Sequence, residues 1–262
     1  MVVFAVLVVA TVAAFFVTQH LKVTTPLLTG FPAPDPNVIN PVAGGTCDGM
    51  QHRVARVSFY LQHRSDDVDV YVVDPGGNIV DTVASGRHMR RGVRNPDGEF
   101  AWDGRVSDGR VAPDGTYYFR VSLIHQGRTV IISNPLGHPE PVTVVSAPPQ
   151  PQVTSVSPAL IPQAGGLSTT ITVTGNDRLG GFVKLYRTDA PGGPRLVKAF
   201  GLPGGARRVV WDGTIRGRPA PAGTYFVGLT TIDGACVTRH FPPRLPPSSA
   251  SAARATVTVG AS

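Results

Sequence analysis

Short stretches in which apolar and polar residues alternate recur along most of the chain. Residues 68–73 read VDVYVV, and in YYFRVSL the side chains of Tyr117, Phe119, Val121 and Leu123 share one face. A period of two with one apolar face is typical of a half-buried antiparallel strand. The pattern therefore predicts an all-β protein in which turns join short strands.

One of these strands in each half of the chain follows the same turn motif. The stretches FAWDGRVSDGRVAPDGTYYFRVSL, at 100–123, and VWDGTIRGRPAPAGTYFVGL, at 210–229, both read W-D-G, a spaced glycine, and P-x-G-T-Y. The chain has two tryptophans, one in each copy. The motif residues are Trp102, Asp103, Gly104, Gly109, Pro113, Gly115 and Tyr117 in the first copy, and Trp211, Asp212, Gly213, Gly217, Pro221, Gly223 and Tyr225 in the second. The duplication predicts two copies of one fold.

Each part of the motif has a structural reason. A tryptophan at the end of a strand supplies the large apolar surface that anchors a small core. Asp-Gly and Pro-x-Gly are turn sequences, because aspartate bonds its own backbone and glycine accepts a positive φ. We therefore interpret Asp103 and Asp212 as turn formers and not as catalytic acids.

One long apolar run occurs in the sequence, at the N-terminus. Residues 2–17 contain a single polar residue, and the first strong charge is Lys22, so the run approaches the roughly 20 residues that span a bilayer. No basic residue precedes it, which favours an uncleaved transmembrane signal anchor over residues 1–22. The missing basic flank leaves the orientation weakly specified by charge, and the character of the remaining chain is what favours an extracytoplasmic placement for it. The alternative is secretion after cleavage of a signal peptide.

The remaining chain divides at proline-rich segments. Residues 23–45 carry five prolines and are predicted to be a semi-extended spacer, and residues 147–152 (APPQPQ) a linker. Between and after them, residues 46–146 and 153–262 each hold about seven short strands, which is typical of an immunoglobulin-like β-sandwich. The predicted fold class is thus all-β, with two tandem immunoglobulin-like β-sandwiches after one N-terminal transmembrane helix.

The paired motifs resemble the immunoglobulin-like repeat of the flagellar hook-capping protein family. The resemblance rests on W-D-G, the spaced glycine and P-x-G-x-Y in both copies, and on VDVYVVDPGG at 68–77. That repeat also occurs in secreted and surface bacterial proteins. The resemblance implies the sandwich fold and brings no catalytic residues with it.

Charge adds one candidate binding patch. The chain has a net charge of +7, and its densest basic cluster holds Arg87, His88, Arg90, Arg91 and Arg94. Such a cluster suits an anionic ligand. No aromatic residue interleaves it, which argues against a stacking platform for nucleic acid. We take the four arginines as a possible anionic-ligand patch.

The two cysteines, Cys47 and Cys236, lie in different repeats. In an oxidising compartment an even cysteine count permits a disulfide, which here would tie the start of the first repeat to a late hairpin of the second. The alternative is two independent thiols, since bonding requires Cα atoms within about 7 Å.

Other chemistry-bearing residues fit ordinary structural roles. Asp66, Asp67, Asp69 and Asp74 could suggest calcium, but they are better explained as a polar strand entry. The seven histidines lack metal-ligand spacing, and nucleophile elbows, phosphate loops and nucleotide fingerprints are missing from the sequence. We therefore expect no enzyme activity, no cofactor and no metal site.

The sequence predicts a membrane-anchored, extracytoplasmic structural or interaction protein that presents two sandwiches to an envelope partner. The alternative is a module that binds cell-wall or anionic polysaccharide through the basic cluster, and a flagellar hook assembly factor is a further one. Nucleic acid is not an expected partner, and the oligomeric state is left open.

Overall fold

The computed structural model describes residues 2–24, 27–30, 32–94, 97–163, 167–176 and 179–260. The described part of the chain is built mainly from short strands, so the predicted all-β class is confirmed. The match between Ala164-Gly165-Gly166 and Ala43-Gly44-Gly45 that the sequence shows lies partly outside the described residues, because 164–166 are not among them.

The first half of the chain contains helix α1 and strands β1 to β12. Their bounds are α1 Val2–Thr24, β1 Leu28–Thr29, β2 Val38–Ile39, β3 Thr46–Cys47, β4 Met50–Gln51, β5 Ala55–Ser58, β6 Tyr60–Leu61, β7 Asp66–Val73, β8 Ile79–Met89, β9 Glu99–Trp102, β10 Gly115–Leu123, β11 Arg128–Ile131 and β12 Pro141–Val144.

The second half contains strands β13 to β23 and a short helix, α2. Their bounds are β13 Gln152–Ser157, β14 Leu160–Pro162, β15 Thr169–Thr174, β16 Gly181–Arg187, β17 Arg195–Leu202, β18 Arg208–Trp211, β19 Thr214–Ile215, β20 Arg218–Pro219, β21 Gly223–Ile232, β22 Thr238–Phe241, α2 Ser249–Arg254 and β23 Thr256–Gly260.

The structure divides into two compact units that do not coincide with the two repeats. The first unit comprises Met1–Asp35, Arg56–Trp102 and Thr116–Pro141, and the second comprises Pro36–Ala55, Asp103–Gly115 and Val142–Ser262. The second unit therefore holds the whole second repeat together with three segments of the first, 46–55, 103–115 and 142–146.

In the first unit, antiparallel pairing joins β8 to β7, β7 to β10, and β10 to β11. The alternation predicted from the sequence is present, because Val70, Phe119 and Val121 are fully buried on the inner face. Their polar neighbours along β7 and β10 point to the other face. The alternation of apolar and polar residues thus explains why β7 and β10 form a sheet with one buried face.

Strand β8 is longer than the sequence predicted. The sequence predicts a strand over 78–83 followed by a basic loop, whereas β8 continues to Met89, so Arg87 and His88 lie on a strand. Met89 is fully buried and pairs with Asp66, while Gly86, at a φ of 60°, accommodates an irregularity in the pairing. Burial of Met89 outweighs the polar character of the residues before it.

The N-terminal helix α1 is followed by a segment that is more ordered than a spacer. Among the residues that the structure describes, no helix combines the length and apolar character needed to cross a membrane, so the anchor predicted over 1–22 has no support from the structure. Within the predicted spacer 23–45, Leu28 pairs with Leu61 in the first unit, and Ile39 is fully buried in the second. The prolines of this segment flank the short strands β1 and β2 and do not prevent them from forming.

The second unit contains two sheets with a common core. A three-stranded sheet has the order β13-β15-β18, and a larger one has the order β14-β23-β21-β16-β17, with β22 paired to β21. Ile171 and Trp211 from the first sheet and Val183 and Tyr225 from the second belong to one buried cluster. The unit also contains the parallel pair of β2 with β12 and the antiparallel pairs β3–β4 and β19–β20.

Candidate functional site

The second copy of the duplicated motif is built around Trp211, which is fully buried. Its indole Nε1 donates a hydrogen bond to the Thr214 carbonyl oxygen at 2.8 Å. The Asp212 carboxylate accepts from the Thr214 backbone N–H at 3.0 Å and from its hydroxyl at 2.8 Å. These two bonds from Thr214, with a smaller contribution from Lys198, lower the pKa of Asp212. The aspartate closes the turn, as its position before glycine predicts.

The first glycine of each motif copy makes the same bond. Gly104 and Gly213 have φ values of 74° and 72°, and their carbonyl oxygens accept from the N–H groups of Ala112 and Ala220 at 2.9 Å and 2.8 Å. A side chain is disfavoured at such a φ. At Gly104 a Cβ would also collide with the ring of Pro41. The glycine is therefore required by the turn.

The aromatic pair of each copy also has the same geometry. The rings of Trp102 and Tyr117 lie 5.2 Å apart at 61°, and those of Trp211 and Tyr225 lie 5.4 Å apart at 63°. The Tyr225 hydroxyl donates to the Pro221 carbonyl oxygen at 2.6 Å. The remaining motif positions form the turns between these anchors, with Gly109 and Gly217 at positive φ and Pro113, Gly115 and Gly223 leading into β10 and β21. The tryptophan and tyrosine side chains of both copies are thus buried in the fold, and the exposed Asp212 is bonded within its own turn.

Three of the four arginines of the predicted basic patch bond to other groups of the protein through their side chains. Arg90 forms a two-pronged ion pair with Asp97, at 2.8 and 3.2 Å. Arg94 donates to the Ser58 hydroxyl at 2.7 Å. Arg87 donates to the Glu99 carbonyl oxygen at 2.8 Å, and its guanidinium lies 4.8 Å from the centre of the Phe100 ring. Arg91 is exposed, and its backbone N–H donates to Ser65. Asp97 offsets the charge of Arg90, whereas the bonds of Arg87 and Arg94 to neutral oxygens occupy donors that a ligand would otherwise use.

The aspartates weighed as a calcium cluster do not converge. Asp67 lies 2.8 Å from the His88 ring, whereas Asp69 accepts from Tyr71, Ser85 and the Gly86 N–H. No group of three or more potential metal ligands occurs among the described residues. These carboxylates instead hold β7 to its neighbours.

Asp66, at the start of β7, is the buried member of this group. Burial raises the pKa of its carboxyl group, but hydrogen bonds from the His125 N–H, the Gln126 side chain, the His125 ring and the Asp67 N–H together outweigh it and lower the pKa below the usual 3.8. The His125 N–H and ring nitrogen each lie 2.9 Å from the same oxygen of Asp66. The ionised form is thus the one that the fold stabilises.

We expect the free energy of unfolding of the Asp66→Asn variant to depend less on pH in the acid range than that of the parent. A carboxyl whose pKa is depressed on folding stabilises the protein above its unfolded pKa, and this stability is lost as the pH falls through the lower, folded value. The Asn variant should be less stable at pH 7 and lose less stability than the parent between about pH 5 and pH 2. Urea unfolding across this range measures it. The exposed Asp48→Asn variant should keep the parental profile, and an unchanged acid limb in Asp66→Asn would contradict the assignment.

Cys47 and Cys236 form a disulfide in the structure, with their Cα atoms 5.9 Å apart. Around it, the Gly45 N–H donates to the Ala235 carbonyl oxygen at 2.9 Å. A Cβ at Gly45 would collide with the Cys236 carbonyl oxygen, so the backbones approach closely because residue 45 is glycine. Both cysteines belong to the second unit, although they come from different repeats.

The sequence did not reveal a second basic surface, which lies along β22. One cavity of about 440 Å³ is lined by Arg239 and Arg254 among others, and a second of about 260 Å³ is lined by Lys184 and Arg244. Both are also lined by His240, Phe241 and Pro243. We call these two adjoining cavities the basic groove. Its cations are scattered over 184–254, so no charge cluster in the sequence marks it.

Comparisons with known proteins find one family model and several curated relatives of the same kind. The profile of the FlgD Ig-like domain family matches residues 48–127. The Basal-body rod modification protein FlgD of Salmonella typhimurium is 28% identical over 119 residues, which are 45% of this chain and 48% of that protein. The Escherichia coli protein of the same name is 34% identical over 76 residues, which are 29% of this chain and 30% of that protein. The chain thus spans about half the length, or less, of these curated relatives.

Among solved structures, a marsupial T cell receptor aligns with 90% of this chain and 72% of its own, at 9% identity and a TM-score of 0.37. A likeness at this level carries no argument about the present chain.

Proposed function

Because residues 48–127 belong to the FlgD Ig-like domain family, we propose that this chain is a non-enzymatic structural protein that presents β-sandwich surfaces to a protein partner. The observation that carries the proposal is the geometry of the duplicated motif. Its tryptophans, aspartates and glycines, the residues that look most like a site, are used in the core and in turns. Recognition is then left to residues that the two copies do not share.

We propose further that both repeats are immunoglobulin-like domains of the same kind. Support comes from the ring pairs of the two copies, which have nearly the same geometry. The rings of Trp211 and Tyr225 lie 5.4 Å apart at 63°, and those of Trp102 and Tyr117 lie 5.2 Å apart at 61°. The two buried sheets around Trp211 are also the arrangement expected of a sandwich. The family match itself covers the first repeat.

We propose an extracytoplasmic location. The support is the disulfide between Cys47 and Cys236, since such bonds persist in oxidising compartments. The apolar run at residues 2–17 is consistent with export, by an anchor or by a cleaved signal peptide. The role of the flagellar relatives is not transferred to this chain, because the alignment covers only 48% of the Salmonella protein.

The polymer-binding alternative through Arg87, Arg90, Arg91 and Arg94 receives less support. Three of these arginines have intramolecular partners, including the two-pronged pair of Arg90 with Asp97. Breaking such pairs would offset part of the attraction of an anionic polymer. We therefore favour a protein partner.

Site-specific photocrosslinking in intact cells tests the role. Strands β8 and β17 end the described order of their sheets, and unpaired strand edges are common docking surfaces. A benzophenone amino acid at Ile79 or Leu196, which are 51% and 49% exposed on these strands, should yield a discrete crosslinked protein. The same group at Leu136, which is 82% exposed in a loop, is the matched control and should yield none. Absence of a protein product at both strand positions would refute the proposed role.

A further inference from the structure

The charged side chains that line the basic groove are all of one sign. Four permanent cations line it, Lys184, Arg239, Arg244 and Arg254, together with His240, and neither cavity has an aspartate or glutamate in its lining. None of the four cations takes part in an ion pair with another described residue. This contrasts with Arg90, whose charge is met by Asp97. The groove therefore offers uncompensated charge to a ligand.

The groove also follows a strand edge. Arg239, His240 and Phe241 are consecutive residues of β22, and all three line the larger cavity. Consecutive side chains of a strand point to opposite faces, so a cavity lined by three in a row runs along the edge of the strand. Among the described residues, β22 pairs with β21 and with no other strand. Its second edge is thus free to pair.

One wall of the groove restricts what can enter. Prolines 148, 149 and 151 stand in the segment before β13 and line the larger cavity, and Pro243 lines both. Proline lacks a backbone N–H and so cannot donate a ladder hydrogen bond to the free edge of β22. The apolar proline rings and Phe241 leave space for a narrow, extended chain with small apolar side chains between its charges.

We propose that the basic groove binds an extended acidic segment of a partner protein, which adds as a strand to the free edge of β22. The four residues Thr238–Phe241 would pair with a segment of similar length. Alternate side chains of that segment would point to opposite sides of the strand. Carboxylates on one side would meet Arg239 and Arg254, and those on the other Lys184 and Arg244. Main-chain hydrogen bonds give affinity in this mode, and the side chains give specificity.

This inference goes beyond the proposed function, because it names a surface and a ligand chemistry that a structural role alone does not specify. An acidic polysaccharide could satisfy the charge of the groove, but it has no peptide backbone to pair with β22. The two ligand classes therefore differ in whether backbone hydrogen bonds contribute.

Direct binding to the full chain tests the proposal. The probe is a fluorescently labelled peptide in which glutamate alternates with valine and threonine, and the readout is fluorescence anisotropy at low and high salt. We expect saturable binding that salt weakens, and no binding of the matched lysine peptide. Arg239→Glu and Arg254→Glu should each weaken binding on the order of tenfold. Arg208→Glu, at an exposed arginine of strand β18 in the other sheet, is the control and should leave affinity within about twofold of the parent.

Backbone pairing is tested by N-methylating alternate amides of the same peptide, which removes donors at constant charge. We expect this peptide to bind at least about tenfold more weakly. Equal affinity of the N-methylated peptide, tighter binding of polygalacturonate at the same carboxylate concentration, or failure of the glutamate peptide to bind would each overturn the proposal. Because this assay measures binding directly, its outcome is independent of whether crosslinking finds a partner in cells.

Discussion

Replacing Trp211 by alanine is expected to destabilise the second unit by about 3–5 kcal/mol, the range for a large aromatic side chain removed from a core. The indole is fully buried in the cluster shared by both sheets of this unit and packs edge-on against Tyr225. Its loss also leaves the Thr214 carbonyl oxygen without the indole donor. Urea unfolding followed by far-UV circular dichroism measures the change in the free energy of unfolding.

Two variants make the Trp211 result specific. Val210→Ala changes the preceding residue, which is 59% exposed, and should shift the free energy of unfolding by less than about 0.5 kcal/mol. Trp211→Phe keeps a ring against Tyr225 and should lose less stability than Trp211→Ala. A Trp211→Ala protein as stable as its parent would show that the motif does not anchor the core.

The second large effect is expected from the disulfide. Replacing Cys47 and Cys236 together by alanine should lower the free energy of unfolding by about 2–5 kcal/mol. The two residues are 189 positions apart, so the bond removes much conformational freedom from the unfolded chain. Urea unfolding of the oxidised parent against the double variant measures this loss.

Reductant supplies the control for the disulfide. Dithiothreitol should lower the unfolding midpoint of the parent toward that of the double variant and leave the double variant unchanged. If complete reduction, verified by thiol alkylation, does not move the parental midpoint, then the bond does not stabilise the native protein.

Local pattern was sufficient to predict most strands of the core. In β10 and β21 the alternation begins directly after P-x-G, and the structure places both strands there with Val121 and Val227 buried. The turn at Asp233 was equally visible in the sequence, because Asp-Gly follows the last apolar residue of β21. In these places the side chains near in sequence decide the structure, so one sequence is enough.

Features that depend on distant contacts were not predictable. Asn40 lies in a proline-rich segment, yet it is fully buried, accepts from the N–H groups of Val42 and Ala43, and donates to the Ser146 carbonyl oxygen. Residues 242–251 are rich in proline and serine, which predicts a loop, yet they contain the start of α2, capped by the Ser248 hydroxyl. Nothing in the local sequence shows that Ser146 will lie beside Asn40.

The candidate binding surfaces could not be predicted from the local sequence either. The sequence pointed to Arg87–Arg94 because four arginines are close together in the chain, but it could not show that Asp97 and Ser58 would take up two of them. The cations of the basic groove come from four separate elements or loops and converge only in the fold. Charge density along a sequence is thus a poor guide to charge that is available on the surface.

The bond between residues 47 and 236 also determines how the molecule carries mechanical tension. If the two ends of the chain are pulled apart, force that enters at the N-terminus reaches Cys47, crosses the sulfur–sulfur bond to Cys236, and leaves through the C-terminal segment. Residues 48–235, which include both tryptophan motifs, lie outside this covalent path. Under force, the oxidised protein would extend only through the segments on either side of the bond, which include β1, β2, β22 and β23, whereas the reduced protein would unravel along its full length.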